Sequence, residues 1–182
     1  MMTYPESYTL KIGDNAPDFT LKATSGKEYS LNDLTKPVMV LFFTCNHCPY
    51  ARAYDQRIRA LIQEFRHKAD FVGINSNDDI NYPQDSFDNM KALAKEKKFT
   101  YLYLWDESQE VARAYGGQVT PQFFVFGNGR KLEYQGRLDD NIHEPEAAET
   151  SELRDAIAAV LAGKKPEEQV TSAHGCSIKW KA

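Results

Sequence analysis

A chain of 182 residues is long enough to bury one sizeable core, and 42% hydrophobic with 12% aromatic content excludes a disordered polypeptide. A formal net charge of −4, without any run of five basic residues, argues against nucleic acid as the main partner. The longest uninterrupted apolar run, Val38–Phe43, is far too short to cross a bilayer.

Met1–Glu6 shows neither a basic n-region nor an apolar h-region, so no secretory signal is read there and a cytoplasmic location is expected. Residues 13–37 form a leading segment punctuated by Gly13, Pro17, Ser25-Gly26 and Pro37, with strand-like pieces at Phe19-Thr20-Leu21 and Tyr29-Ser30-Leu31. Val38–Phe43 is apolar on both faces, as a central strand covered on each side requires. Ala51, Tyr54, Ile58, Leu61 and Phe65 then recur at spacings of three and four and predict a helix, with Asn46 as N-cap and Pro49 among the first positions. A second buried strand follows at Phe71–Asn75. Phe87, Met90 and Ala94 mark another helix, ending in the lysine-rich stretch 95–98.

Tyr101–Trp105 reads as a strand and Val111–Tyr115 as a short helix stopped by Gly116-Gly117. Gln122–Phe126 and Lys131–Gln135 flank Gly127-Asn128-Gly129-Arg130, a hairpin signal. Ser151–Leu161 is a terminal helix, and residues 164–182 form a tail without periodicity. Neither an internal repeat nor a linker is evident. The expected fold is therefore a single α/β domain over residues 1–182, with a mixed central sheet flanked by helices and with the 164–182 tail docked on the body through Ile178 and Trp180.

The chemistry gathers at Thr44-Cys45-Asn46-His47-Cys48-Pro49, between the apolar strand and the first helix. Three cysteines in a chain of this size do not make a disulfide scaffold, and a Cys-x-x-Cys pair in a reducing compartment signals redox or metal chemistry. Spacing of three predicts that Cys45 and Cys48 share one face of the first helical turn. The positive helix end should favour thiolate at Cys45, making it the nucleophile and Cys48 the resolving thiol. His47 either adds charge or a hydrogen bond to that thiolate or simply faces solvent. A redox pair of this kind needs no cofactor and no metal. Against it stands a zinc-holding structural or binding module, for which Cys45, Cys48, His174 and Cys176 add up to four N/S ligands.

Three stretches in order carry a family resemblance: Gly13-Asp14-Asn15-Ala16-Pro17-Asp18-Phe19-Thr20-Leu21, Cys45-Asn46-His47-Cys48, and Val119-Thr120-Pro121. Over roughly residues 10–162 the chain resembles the thioredoxin superfamily, and within it the redoxin branch that includes the peroxiredoxins of the AhpC/TSA type. The resemblance implies a thioredoxin fold with an N-terminal redoxin extension and a cis bond before Pro121. It also implies that the backbone of Thr120 receives substrate. The implied activity is thiol-disulfide exchange at the Cys45–Cys48 dithiol. The partners would be protein or small-molecule disulfides and thiols, with electrons supplied by a thioredoxin or glutathione system. The alternative is a thiol peroxidase acting on peroxides as an antioxidant.

The chain also departs from the patterns it resembles. Where peroxiredoxins carry Pro and Thr or Ser, seven and three residues before the reactive cysteine, this chain has Val38 and Phe42. Their arginine near the thiolate falls around Thr120-Pro121. These departures remove donors that would stabilise peroxide displacement and shift the reading towards disulfide exchange. The strand before the dithiol also lacks the buried acid of many thioredoxins, so no proton acceptor for Cys48 is identified.

Gly-Cys-Ser-Ile-Lys-Trp near the end, residues 175–180, resembles the ending of one redoxin subgroup. Cys176 is either an auxiliary thiol that exchanges with the dithiol or an unengaged one. Two further stretches, Arg137-Leu138-Asp139-Asp140 and Asn75-Ser76-Asn77-Asp78-Asp79, read as solvated loops ahead of any binding role, and His67 and His143 as surface residues.

Overall fold

The computed structural model describes residues 8–182, so the Met1–Glu6 stretch used above to exclude a secretory signal lies outside the described residues. The elements in chain order are β1 (Thr20–Ala23), β2 (Glu28–Ser30), β3 (Val38–Phe43), α1 (Pro49–Phe65), β4 (Ala69–Asn75) and α2 (Phe87–Lys97). There follow β5 (Leu102–Trp105), α3 (Glu110–Tyr115), β6 (Val119–Thr120), β7 (Gln122–Phe126), β8 (Leu132–Gly136), α4 (Glu152–Leu161) and β9 (Cys176–Ser177).

Seven strands form one mixed sheet in the order β2-β1-β5-β4-β3-β7-β8. β3 runs parallel to β4, and β4 to β5, while β7 returns antiparallel on the other side of β3. This arrangement is the mixed α/β fold expected from the alternation of elements. β7 and β8 form the hairpin predicted around Gly127–Arg130, and the register of the strand after the turn begins at Leu132.

β3 shows why an apolar strand without alternation belongs at the centre. Val38, Val40 and Phe42 pack with Tyr54, Ile58, Leu61 and Ile62 of α1 and with Leu153 and Ile157 of α4. Met39, Leu41 and Phe43 face the other way, towards Val111, Ala112 and Tyr115 of α3, Phe19 of the leading segment, and Ile178 of the tail. All six side chains are at most 1% exposed. Each such burial contributes about 1.5–3 kcal/mol, so β3 anchors both layers and fixes where its C-terminal end delivers the chain. Among the described residues no helix is long and apolar enough to cross a membrane.

Candidate active site

β3 hands the chain to residues 44–48, which turn into α1. The helix starts at Pro49, with extended Cys48 as its N-cap, two residues later than the Asn46 cap that spacing suggests. Proline explains the shift: its fixed φ and missing N–H suit the first helical position. Both thiols therefore precede the first turn instead of sharing a face of it, and the positive helix end acts most directly on Cys48.

Cys45 and Cys48 are buried, at 7% and 0% exposure, and pack with Ala51, Tyr50 and Cys176. Both meet Thr120 across the cis Thr120-Pro121 bond. The Cys48 thiol donates to the Thr120 carbonyl oxygen at 3.2 Å, and Cys45 Sγ lies 3.6 Å from the Thr120 hydroxyl. Gln122, fully buried at the start of β7, accepts the N–H of Gln118 at 2.9 Å and so fixes the approach to Thr120.

The two thiols are driven apart in acidity, opposite to the expectation from helix position alone. The hydrogen bond from Cys45 holds Cys48 well below the usual thiol range, with help from Thr120 and from the N–H groups of Ala51 and Cys176. The same bond to Cys48, then burial and then the negative charge of Asp85, push Cys45 up. Ionisation of the reduced pair therefore falls first on Cys48, which then gives up its own bond to the Thr120 carbonyl and accepts from Cys45.

Asp85 was not legible as a site residue. It closes a short 3-10 turn, Pro83–Asp85, after β4, and is fully buried. Its Oδ1 accepts the Asn46 N–H at 2.7 Å and the Asn75 amide at 3.3 Å, and its Oδ2 accepts the Asn77 amide at 2.9 Å. His47 Nδ1 approaches Oδ2 to 2.7 Å in an ion-pair contact that does not line up as a hydrogen bond, and the His47 ring stacks on Tyr82. Asn46 is clamped from the other side: its Oδ1 accepts the Tyr103 hydroxyl at 2.6 Å, and its amide donates to the Gln84 carbonyl at 2.8 Å. The segment Asn75–Asp78, read as a solvated loop, is instead buried, no residue exceeding 4% exposure, because it braces this acid and the tail.

Cys45 Sγ, His47 Nδ1 and an Asp85 oxygen lie within 4.8 Å of one another, a spacing that three ligands of a metal ion would share. That is a different set from the four zinc ligands suggested by the sequence, since His174 is exposed and does not join it. Arg137 and Asp139, candidates for a substrate face, are engaged with Glu152 and with Arg57 (2.6 Å). His67 and His143 are exposed, as expected.

A cleft of about 340 Å³ opens beside Cys45, lined by Asn46, Arg52, Ile58, Leu93, Phe99 and Tyr103 among others. The backbone edge of Thr120, by contrast, is covered. β9 pairs antiparallel with β6, setting Thr120 opposite Cys176 and Val119 opposite Ser177. The edge expected to receive a substrate's backbone is thus filled by the chain's own segment. A two-residue strand has no periodicity from which to read it.

The sequence profile of the AhpC/TSA family matches residues 12–135, a stretch that holds the dithiol and Pro121 but not β9. A chloroplastic peroxiredoxin Q of Gentiana triflora is 30% identical over 122 residues, covering 62% of this chain and 52% of the relative. The chain therefore spans about half the length of that curated relative. Among solved structures, an uncharacterized conserved protein from Geobacillus kaustophilus superposes with a TM-score of 0.88 at 36% identity, over 96% of this chain and 95% of the other. Peroxidoxin BcpB from Mycobacterium tuberculosis does so with a TM-score of 0.61 at 25% identity, over 74% of this chain and 90% of the other.

Proposed function

Because the chain belongs to the AhpC/TSA family, we propose that it is a thiol-dependent oxidoreductase that cycles Cys45 and Cys48 between dithiol and disulfide. The observation that carries this reading is the convergence of both sulfurs on Thr120, one at its hydroxyl and one at its carbonyl, in a buried pocket. The more exposed Cys45 borders the cleft and attacks the substrate. Its proton passes along the mutual hydrogen bond to Cys48, so a single negative charge moves between the sulfurs without either being stranded in a dry site. With a disulfide substrate, Cys45 displaces one thiolate and forms a mixed disulfide. Cys48 then attacks Cys45 and releases the second thiol. Thr120 and Pro121 position the reacting sulfur, and His47 lies against the Asp85 carboxylate beside Cys45.

A second reading, peroxide reduction, is favoured by the peroxiredoxin names of the relatives and by the cleft, which offers a small molecule a route to Cys45 while the peptide edge is covered. Here Cys45 would take one peroxide oxygen as a sulfenic acid, releasing the alcohol or water. Cys48 would then condense with it to the disulfide and a second water. Val38 and Phe42 still supply no donors to the peroxide. Electrons return from a thioredoxin or glutathione system.

Disulfide reduction and peroxide consumption, measured for wild type, Cys45→Ser and Cys48→Ser, separate the two. Loss on the order of a hundredfold or more in Cys45→Ser is expected in whichever assay reports the true substrate. Full activity of Cys45→Ser in both assays would refute the proposal.

A further inference from the structure

The segment after α4 is held along its length. Thr171 and Ala173 bond to the Tyr8 hydroxyl, and Thr171 also meets the Tyr134 hydroxyl at 2.7 Å. Beyond β9, the Ile178 N–H donates to the Gln118 carbonyl at 2.9 Å while its side chain, 3% exposed, enters the core beside Phe43. Lys179 exchanges bonds with Asn77 and Asp78, and its carbonyl accepts the buried Gln109 amide. Between these anchors lies Gly175, where a Cβ would stand 2.1 Å from the Thr120 carbonyl oxygen. Only glycine lets the strand approach so closely, and that approach sets the next residue, Cys176, against the dithiol.

We propose that Cys176 is a third redox thiol: held opposite Thr120 by the β6–β9 pairing, it takes over the disulfide from Cys48 and carries it to the surface, where a dithiol reductant attacks it. The proposal rests on the dithiol reading above. Three observations carry it. Cys176 occupies the backbone register that a docked substrate strand would use. Its side chain packs against the cluster that holds the dithiol and interacts with Cys48. It is partly exposed, whereas Cys48 is sealed and Cys45 nearly so. A protein reductant cannot dock on an edge that β9 fills, so the exposed sulfur is its natural point of attack.

The relay is a thiol-disulfide exchange with no net change in electrons. The Cys176 thiolate attacks Cys48 Sγ, the Cys48–Cys176 bond forms as the Cys45–Cys48 bond breaks, and the proton lost by Cys176 ends on Cys45. An external dithiol then attacks Cys176, passes through a mixed disulfide, and leaves as a disulfide with all three cysteines reduced. The pair's state also gates the step. In the reduced protein, burial and the negatively charged Cys48 beside it push Cys176 up to about 11. Once Cys48 is in a disulfide that charge is gone, and Cys176 becomes easier to ionise when it is needed.

The test is trapping. Wild type and Cys45→Ser are oxidised with diamide, blocked with N-ethylmaleimide and mapped by mass spectrometry. The expected result is a Cys48–Cys176 peptide in Cys45→Ser and a Cys45–Cys48 peptide in wild type. Reduction of the oxidised protein by reduced thioredoxin should be at least tenfold slower in Cys176→Ser. Gly175→Ala, which keeps every thiol but pushes the strand away, should lower the Cys48–Cys176 yield at least fivefold. If Cys45→Ser leaves both remaining thiols free while wild type forms its link, the relay is overturned and the dithiol reading stands. Unchanged reduction in Cys176→Ser, or unchanged trapping in Gly175→Ala, also overturns the relay. A wild type that links neither Cys45 nor Cys176 to Cys48 overturns the dithiol reading, and the relay with it.

Discussion

Replacing Asp85 by Asn tests the electrostatics of the dithiol most directly. The carboxylate is fully buried and no more than 4.8 Å from the Cys45 sulfur. Two unit negative charges at that separation, in an effective dielectric near 20, repel by roughly 3.5 kcal/mol, or a few hundredfold in thiolate population. The gain in rate is smaller, because a less basic thiolate is a weaker nucleophile with a slope of about 0.4–0.5. Roughly 20-fold faster alkylation of Cys45 by iodoacetamide near neutral pH remains. The measurement belongs in a Cys48→Ser/Cys176→Ser background, where Cys45 is the only thiol, and covers pH 6–10 so that the ionisation itself is read. The substitution also has a structural cost. The new amide would keep the bonds from Asn46 and Asn75 but present N–H to the Asn77 amide, and Asn77 cannot turn over without releasing Lys179. A destabilisation of about 3 kcal/mol in urea unfolding is expected for the lost charge-assisted bond and the unpaired donor. A folded Asp85→Asn protein whose Cys45 reacted no faster than before would refute the assignment of Asp85 as a group that suppresses Cys45.

Other outcomes follow from the same geometry. In the reduced protein Cys48 is held below its unfolded value. Its contribution to stability is therefore complete above the ordinary thiol range near 8.5, and is lost as pH falls towards the lowered value of about 4. The stability difference between reduced wild type and Cys48→Ser should grow with pH across that window, and a flat difference would contradict it. Ile178→Ala should cost about 2–4 kcal/mol through the cavity left beside Phe43 and should speed alkylation of Cys176 as β9 loosens. Unchanged Cys176 reactivity would separate the core anchor from the strand. Asp139→Ala should destabilise by about 2–3 kcal/mol by taking the carboxylate from the half-buried Arg57 guanidinium, which keeps its bonds to the Asn141 and Ile142 carbonyls. Its turnover per folded molecule should stay at the wild-type level, since the 137–140 stretch is structural; a loss of turnover would restore it as a substrate face.

What the sequence disclosed and what it withheld divide along a physical line. β3, α1 and the hairpin were legible because each carries its own signal: unbroken apolar residues, a three-four repeat, and a glycine-rich turn. Cys45 and Cys48 were legible because two thiols three apart between an apolar strand and a helix have few other uses, and Pro121 through the family resemblance carried by Val119-Thr120-Pro121. Asp85 was not, because an aspartate in a polar stretch looks solvated until the tertiary fold turns Asn75–Asp78 inward. The helix start was misplaced by two residues because cap preference points to Asn46, whereas the restriction imposed by Pro49 decides. The acidity order within the dithiol was missed because its causes are tertiary: the hydrogen bond between the two thiols first, then burial of Cys45 and the unseen Asp85 carboxylate.

The position of β9 in the chain has a consequence for biosynthesis. Translation proceeds from the N-terminus, so Cys45, Cys48, Asp85 and Thr120 are all made before Gly175, Cys176 and Ile178. Until that last segment arrives, Val119-Thr120 beside Cys45 and Cys48 lacks the partner strand that β9 supplies, and the core next to Phe43 lacks Ile178. An extended segment of another chain could pair there only during this interval. Closure by the chain's own strand ends the competition, because a tethered segment needs only to close a loop whose entropic cost grows slowly with length.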